Sequence, residues 1–520
     1  MFIAALTPAA HPRYHCQIPM NQNAGLTSPE RITAASLPRR TVWEAWLSPW
    51  YSSRPFAFTL LAIAVIVGAY YRFHQLDRWD MNGDEAVAWA AATKPSLHKA
   101  AETFWKVEYG GKLPVYDIVL HIWVRLFGDS LFAMRAMSAA LGTLAVVLLF
   151  AAVREVGRSL GGPEGAEAGE VGGGFAALIC ALNLKIVLSD RTAREFPLLI
   201  VAELLQIIFF VRAHRRTAFL ELAGIAVCTA IMLADNYCST FLLFGEALWL
   251  GGLLLARWAG SPQALALSVF RPGLGVAAGV VLLVPFVPLA VESSRRAVQA
   301  GAVDWIRLRP ISWPYDVFRH AAGEHLLLEL LEFSILFGLF RQWRSAGRLV
   351  WAFLAAWMLG PVLAAFLATY LIHPMELPRY VLIAFLGMFA LAGFGAGSVR
   401  STAVRILLAA LIIFVSQRAV GRGLEIFEGT SWREATELAV ERTAARDPIA
   451  VFLPYNVEVV RFYLPPARRM AVVGMDTACG AAPVLLLSDR KIARPEQIAA
   501  AEACYPRVVA KLREVEVRAR

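Results

Sequence analysis

Charge is what this chain has least of. Only 17% of its 520 residues are Asp, Glu, Lys or Arg while 58% are hydrophobic, against about 25% and about 45–50% in soluble domains. With a mean hydropathy of +0.55, that shortage excludes a water-soluble globular protein and leaves a polytopic membrane protein. Cysteine is also sparse: the six present form no CxxC pair, which excludes a zinc ribbon and a dense disulfide framework. Only Cys479 and Cys504 share a polar segment in which they can pair. No internal repeat stands out, and no signal peptide with a small-residue cleavage site precedes the first apolar run. The net charge of +10 would suggest nucleic acid in a soluble protein. Here the arginines cluster between apolar runs, where they orient membrane spans, so no nucleic-acid partner is expected.

What is there is a succession of apolar runs. Residues 1–55 are polar and carry Arg39, Arg40 and Arg54 ahead of a first span at 56–71, which reads as a cytoplasmic N-terminal tail. Further spans are predicted at about 131–153, 173–190, 196–212, 218–235, 238–256, 274–291, 325–340, 349–371, 379–397 and 402–419. With about eleven crossings, Arg154, Arg158, Arg212, Arg215, Arg216, Arg257, Arg271, Arg341, Arg344, Arg348 and Arg400 all fall on the inner side. Leu113–Phe127 is not counted. It is too short to cross about 30 Å, and Asp117, His121 and Arg125 draw a polar stripe along it, as in a helix lying in the membrane interface. A short span with that stripe turned into a bundle is the other reading. Gly161–Gly174 reads as a flexible linker. From residue 421 to 520 the composition is that of a small soluble α/β domain without a Gly-rich phosphate loop, with helices at 432–446, 457–463 and 495–503 and strands at 449–453, 470–473 and 484–488.

The same parity gathers ionisable groups on the outer side. Beyond the first span stands Trp79-Asp80-Met81-Asn82-Gly83-Asp84-Glu85-Ala86. Alone, Asp84 is a helix cap before Glu85, with both acids favouring a helix N-terminus. Its functional alternative is a general base or metal ligand, with Glu85 helping. Lys112, Arg191, Arg194 and Arg379 lie on the same side, and guanidinium forks match phosphate oxygens. Together they predict a site for an anionic ligand. Glu203 and Gln206, in mid-span, read as a buried structural contact.

Gly83-Asp84-Glu85-Ala86, then Gly111-Lys112-Leu113-Pro114-Val115-Tyr116, then Leu126-Phe127-Gly128-Asp129-Ser130-Leu131-Phe132-Ala133-Met134-Arg135 follow in an order that resembles the bacterial branch of the GT-C glycosyltransferases. These include the protein O-mannosyltransferases and the lipid A aminoarabinose transferase (glycosyltransferase families 39 and 83). Arg191-Thr192-Ala193-Arg194-Glu195-Phe196, Asn236-Tyr237 and Leu377-Pro378-Arg379-Tyr380 sit where that family keeps its second outer-loop arginine motif, its His-Tyr-like pair and its Arg-Tyr motif. The resemblance covers nearly the whole chain and implies a GT-C-like membrane domain at 56–420 with interfacial helices in the first periplasmic loop. It implies an inverting transfer, at the periplasmic face of a bacterial inner membrane, from a polyprenyl-phosphate sugar to lipid A, lipopolysaccharide, another envelope glycan or a protein. Asp84 then matches the catalytic acidic residue, assisted by Glu85. Lys112, Arg191, Arg194, Arg379 and Tyr380 hold the donor phosphate, while Asn236, Tyr237 and His373 face the acceptor or pocket. Gly111 stands where the aminoarabinose transferase has a glutamate, so a divalent metal on Asp84 stays open and no other cofactor is implied. A polytopic transporter or flippase of envelope lipids or polysaccharide is the alternative. Against it stand the missing repeat and the polar groups gathered on one side.

Overall fold

The computed structural model describes residues 53–107, 113–215, 219–257, 266–299, 311–342, 347–372, 378–426, 430–453, 456–475, 482–488 and 495–520. In lipid each backbone N–H and C=O must be satisfied within its own segment, so long apolar runs become helices. The first is α1 (Ser53–Phe73), followed by three short helices, α2 (Gly83–Ala92), α3 (Leu97–Val107) and α4 (Val115–Phe127). Next come α5 (Leu131–Leu160), α6 (Gly162–Ala181), α7 (Leu184–Asp190), α8 (Phe196–Ala213), α9 (Phe219–Asp235) and α10 (Thr240–Arg257). The bundle is completed by α11 (Arg271–Leu283), α12 (Val287–Gln299), α13 (Trp313–Ala322), α14 (His325–Gln342), α15 (Arg348–Leu371), α16 (Leu382–Gly397) and α17 (Thr402–Ile426).

Among the described residues eight helices are long and apolar enough to cross a membrane, nine if α6 and α7, bent by 66°, count as one span. All eleven predicted spans coincide with helices. The two that fall short are α9, which at 17 residues is about 26 Å long, and α14, which carries Glu329, Glu332 and Arg341. As predicted, α4 is a short helix, but two of the three residues of its polar stripe are turned inward. Asp117 and His121 are buried, His121 Nδ1 lies 2.8 Å from the Ala92 carbonyl, and Arg125 donates to the carbonyls of Lys94 and Pro95. Ile122, Leu126 and Phe127 are exposed, together with Arg125. His121 and Arg125 of the stripe thus meet backbone carbonyls of the protein, and apolar side chains are left exposed.

Gly161–Gly174 corrects a second expectation. Instead of a linker, it supplies the first half of α6, packed between α5 and α16. A Cβ at Gly172 would lie 2.7 Å from Phe394 Cα and 2.8 Å from the Gly393 carbonyl oxygen. Inside lipid, where burial of apolar surface gives no drive between helices, small residues permit the close backbone approach that does. Gly172→Val should therefore destabilise the bundle by about 1–3 kcal/mol. A lowered melting temperature of the detergent-solubilised protein is the expected reading, and an unchanged one would contradict this packing.

The C-terminal domain is a five-stranded sheet in the order β2-β1-β3-β5-β4, built from β1 (Ile449–Phe452), β2 (Val472–Met475), β3 (Val484–Leu487), β4 (Arg507–Lys511) and β5 (Glu516–Ala519). Strands β2, β1 and β3 are parallel, while β5 pairs antiparallel with β3 and β4. Its helices are α18 (Trp432–Glu441), α19 (Val457–Tyr463) and α20 (Pro495–Cys504). Alternation along the central strands divides two cores. Ala450, Phe452, Leu485 and Leu487 pack with Ala501 and Tyr505. Ile449, Val451, Val484 and Leu486 join Trp432, Val460 and the membrane domain's Met81, Trp89, Tyr116 and Leu120. One hydrophobic core thus fastens the sheet domain to α2 and α4. Cys504 is disulfide-bonded; Cys479 lies outside the described residues.

Candidate functional site

The segment between α1 and α2 has no regular structure, so its carbonyls need donors, and buried arginines provide them. Arg191 donates to the carbonyls of Tyr71, Arg72, His74 and Gln75 at 2.6–3.4 Å and lies over the Trp79 ring. Gln75 is in the left-handed region at φ 49°, a strained conformation for a side-chain-bearing residue that the Arg191 bond helps to fix. Burial, then the charges of Arg135 and Arg78, push the Arg191 guanidinium down to about 10, so it stays charged at neutral pH. Arg135 donates to the carbonyls of Leu76, Trp79 and Asp80 at 2.9–3.0 Å. Arg72 pairs with Asp190 at 2.8 Å and reaches the carbonyls of Cys180 and Ala181 where α6 ends.

At the end of this clamped segment α2 begins. Its cap is Asn82 rather than Asp84. Asn82 accepts from the Glu85 N–H at 3.0 Å while Glu85 accepts from the Asn82 N–H at 3.1 Å, a reciprocal capping box. Glu85 is fully buried and also accepts from Arg135 at 2.8 and 2.7 Å and from the Ala193 N–H at 2.8 Å. Asp80 accepts from the Arg433 N–H at 2.9 Å, in the first turn of α18, and the Tyr463 hydroxyl accepts from the Met81 N–H at 2.7 Å. Asp80 and Met81 therefore anchor the sheet domain.

With the cap and its buried pair assigned to neighbours, Asp84 is left on the rim of the site. Its side chain is 58% exposed and meets Arg194 Nη1 at 2.5 Å. Arg194 in turn donates through Nε and Nη2 to the buried Glu195 at 2.9 and 3.3 Å. Two carboxylates share one guanidinium, a cluster of formal charge −1. Close in sequence to Glu195, Phe196, Leu199 and Glu203 line a narrow cavity with Asn236, Cys238, Ser239, Arg379 and Tyr380. Arg379 stands over the Tyr380 ring at 5.4 Å in a 3-10 turn at Pro378–Val381. Asn236 accepts from the Cys238 N–H and so shapes the turn that opens α10, with Tyr237 partly exposed beside it. Asp235 accepts from the Tyr116 N–H and the Ala234 carbonyl from the Leu113 N–H, tying the start of α4 to the end of α9.

Of the residues singled out from sequence, Asp84 and Arg194 are brought into contact, and Asn236, Arg379 and Tyr380 share one cavity. Glu85 and Arg191 are turned into the clamp. Lys112 and His373 lie outside the described residues. Gln206 donates to Glu246 at 2.9 Å, a buried contact as expected, while Glu203 lines the cavity with Arg379. Sequence reasoning missed Asn82, Arg135 as an anchor, and Glu195. The Asn82-x-x-Glu85 spacing and a charged Arg135 at the head of an apolar helix were the available signals.

No protein-family model and no curated protein matches this chain. Among solved structures, the Archaeoglobus fulgidus oligosaccharyltransferase tethered with an acceptor peptide is 12% identical with a TM-score of 0.49, over 86% of this chain and 70% of that one. ArnT from Cupriavidus metallidurans bound to undecaprenyl phosphate is 15% identical with a TM-score of 0.37, over 92% and 98%. The Saccharomyces cerevisiae protein O-mannosyltransferase Pmt1-Pmt2 complex bound to the sugar donor is 15% identical with a TM-score of 0.33, over 46% and 34%. Likenesses this distant assign no activity, and what the site does must be judged from its own residues.

Proposed function

We propose that this chain is a membrane glycosyltransferase that moves a sugar from a polyprenyl-phosphate donor to an envelope acceptor, with inversion and with Asp84 as general base. The observation that carries it is an exposed Asp84 carboxylate, on a segment immobilised by buried arginines, beside a guanidinium and a cavity holding a second one. The acceptor hydroxyl attacks the anomeric carbon, its proton passes to Asp84, and the carbon–oxygen bond to phosphate breaks. Polyprenyl phosphate leaves as a monoester whose added negative charge is met by pre-placed cations, Arg379 and, from the sequence, Lys112. Arg194 keeps Glu195 through Nε and Nη2, so its Nη1 can exchange Asp84 for the donor phosphate and free the base. Glu85 and Arg191 act by holding the segment that presents Asp84, and Tyr380, Asn236 and Tyr237 shape the pocket. The end of the bundle that carries Asp84, opposite the one with Arg154, Arg158, Arg212 and Arg215, is the periplasmic one, and the acceptor is lipid A, another envelope glycan or a protein.

A divalent ion at Asp84 fits the described residues poorly. No group of three or more His, Cys, Asp or Glu among them could hold one, and Glu85 and Glu195 spend oxygens on Arg135 and Arg194. No step is routed through a metal here. Arg379→Ala should raise the apparent KM for a polyprenyl-phosphate sugar about tenfold or more, since a charge-assisted bond contributes ~1.5–3 kcal/mol. An unchanged KM in reconstituted membranes would remove Arg379 from the phosphate site.

A further inference from the structure

The opposite end of the bundle carries a cation surplus that the transfer reaction does not use. Arg135 and Arg154 lie on the same helix, α5, nineteen residues apart, or about 28 Å at 1.5 Å per residue, close to the thickness of a bilayer's hydrocarbon core. At that far level Arg54 from α1 and Arg154 and Arg158 from α5 converge on one carboxylate, Glu170 of α6, at 3.5, 3.6 and 3.3 Å. Glu170 is nearly buried beneath them, while Arg54 is 72% exposed and the other two are about one-third exposed. Three guanidiniums offer about five N–H donors each to two oxygens, mostly beyond good hydrogen-bond length, so this one carboxylate cannot occupy them. Arg212 stands nearby on Glu155, and Arg215 donates to the Arg158 carbonyl. Glu164 and Glu167 lie nearer the start of α6, Glu167 against Arg405.

The second observation lies directly below the cations. Arg54 heads the outward stripe of α1, with Phe58, Ala62, Ile66 and Tyr70 exposed at every fourth residue. Phe58 packs on Phe150 and carries the Arg154 guanidinium 5.9 Å above its ring. A cationic cup with unspent donors thus tops an apolar strip about 18 Å long on the outward side of α1, the dimensions of one acyl chain. A soluble anion would use the cup but not the strip.

We propose that Arg54, Arg154 and Arg158 form a binding site for one anionic glycerophospholipid, its headgroup phosphate on the three guanidiniums and a chain along the α1 stripe. Binding there pins α1 to α5 and α6 at the end remote from Asp84. The test is native mass spectrometry of the intact protein in detergent, titrated with phosphatidylglycerol or phosphatidylcholine. Wild type should retain one phosphatidylglycerol with about tenfold tighter Kd than phosphatidylcholine, equivalent to ~1.4 kcal/mol. Arg54→Gln with Arg158→Gln, which leaves Arg154 on Glu170, should remove that preference. Glu170→Gln, which deletes the competing anion, should strengthen binding. Arg442→Gln with Arg446→Gln, an equal charge change on two exposed residues of the sheet domain, should leave it unaltered. Equal binding of the two lipids by wild type, an equal loss in the Arg442→Gln, Arg446→Gln variant, or displacement of the lipid by millimolar inorganic phosphate would each overturn the proposal.

Discussion

Asp84→Asn should yield a protein that inserts and melts like wild type but transfers sugar about 10²- to 10⁴-fold more slowly, the usual contribution of a positioned base. The fold has little stake in this carboxylate. Asn82 and Glu85 cap α2, and Asp84 is more than half exposed. Asparagine keeps the size and can still accept from Arg194, but it cannot take a proton. If Asp84 served only the dipole of α2, the change would cost about 0.3–1 kcal/mol of stability and leave turnover intact. Measuring both melting temperature and transfer on the same preparation separates the two outcomes.

The largest expected loss of stability is at Arg135. Arg135→Ala strands Glu85, which has no solvent exposure, and removes the donor from the carbonyls of Leu76, Trp79 and Asp80. Breaking a buried pair from one side costs about 3–5 kcal/mol. The variant is therefore expected to melt far below wild type or to fail to accumulate. Arg135→Met combined with Glu85→Met removes both charges and should recover part of the loss, as replacement of buried pairs by apolar residues often does. A single variant as stable as wild type would mean that the segment before α2 is held by other contacts. Because this segment also presents Asp84, partial loosening should reduce kcat before it reduces assembly.

Much of the helical plan could be read from the chain because span length and apolar content are local properties. All eleven expected spans are helices, and the short helix before α5 was recognised from its polar stripe. Which way that stripe faced was not legible, because it depended on the carbonyls of Ala92, Lys94 and Pro95, at the end of α2 and in the bend that follows it. Gly161–Gly174 misled because glycine means flexibility in water but close approach inside a bundle. The hairpin of β4 and β5 was missed because Arg507–Lys511 is short, charged at both ends and lies at the sheet edge. At the site, the residue types were visible but their division of labour was not. Glu85 and Arg191 were grouped with the chemistry, yet both are buried among partners far apart in sequence, and only the assembled fold separates anchors from the exposed Asp84.

The most direct measurement of the central claim follows the fate of a polyprenyl-phosphate sugar given to the purified protein in liposomes together with an envelope extract as acceptor. Transferase activity predicts that the sugar label leaves the lipid, that free polyprenyl phosphate accumulates in equal amount, and that the labelled product depends on Asp84. A donor that stays chemically intact, whether idle or merely moved to the other leaflet, would contradict it.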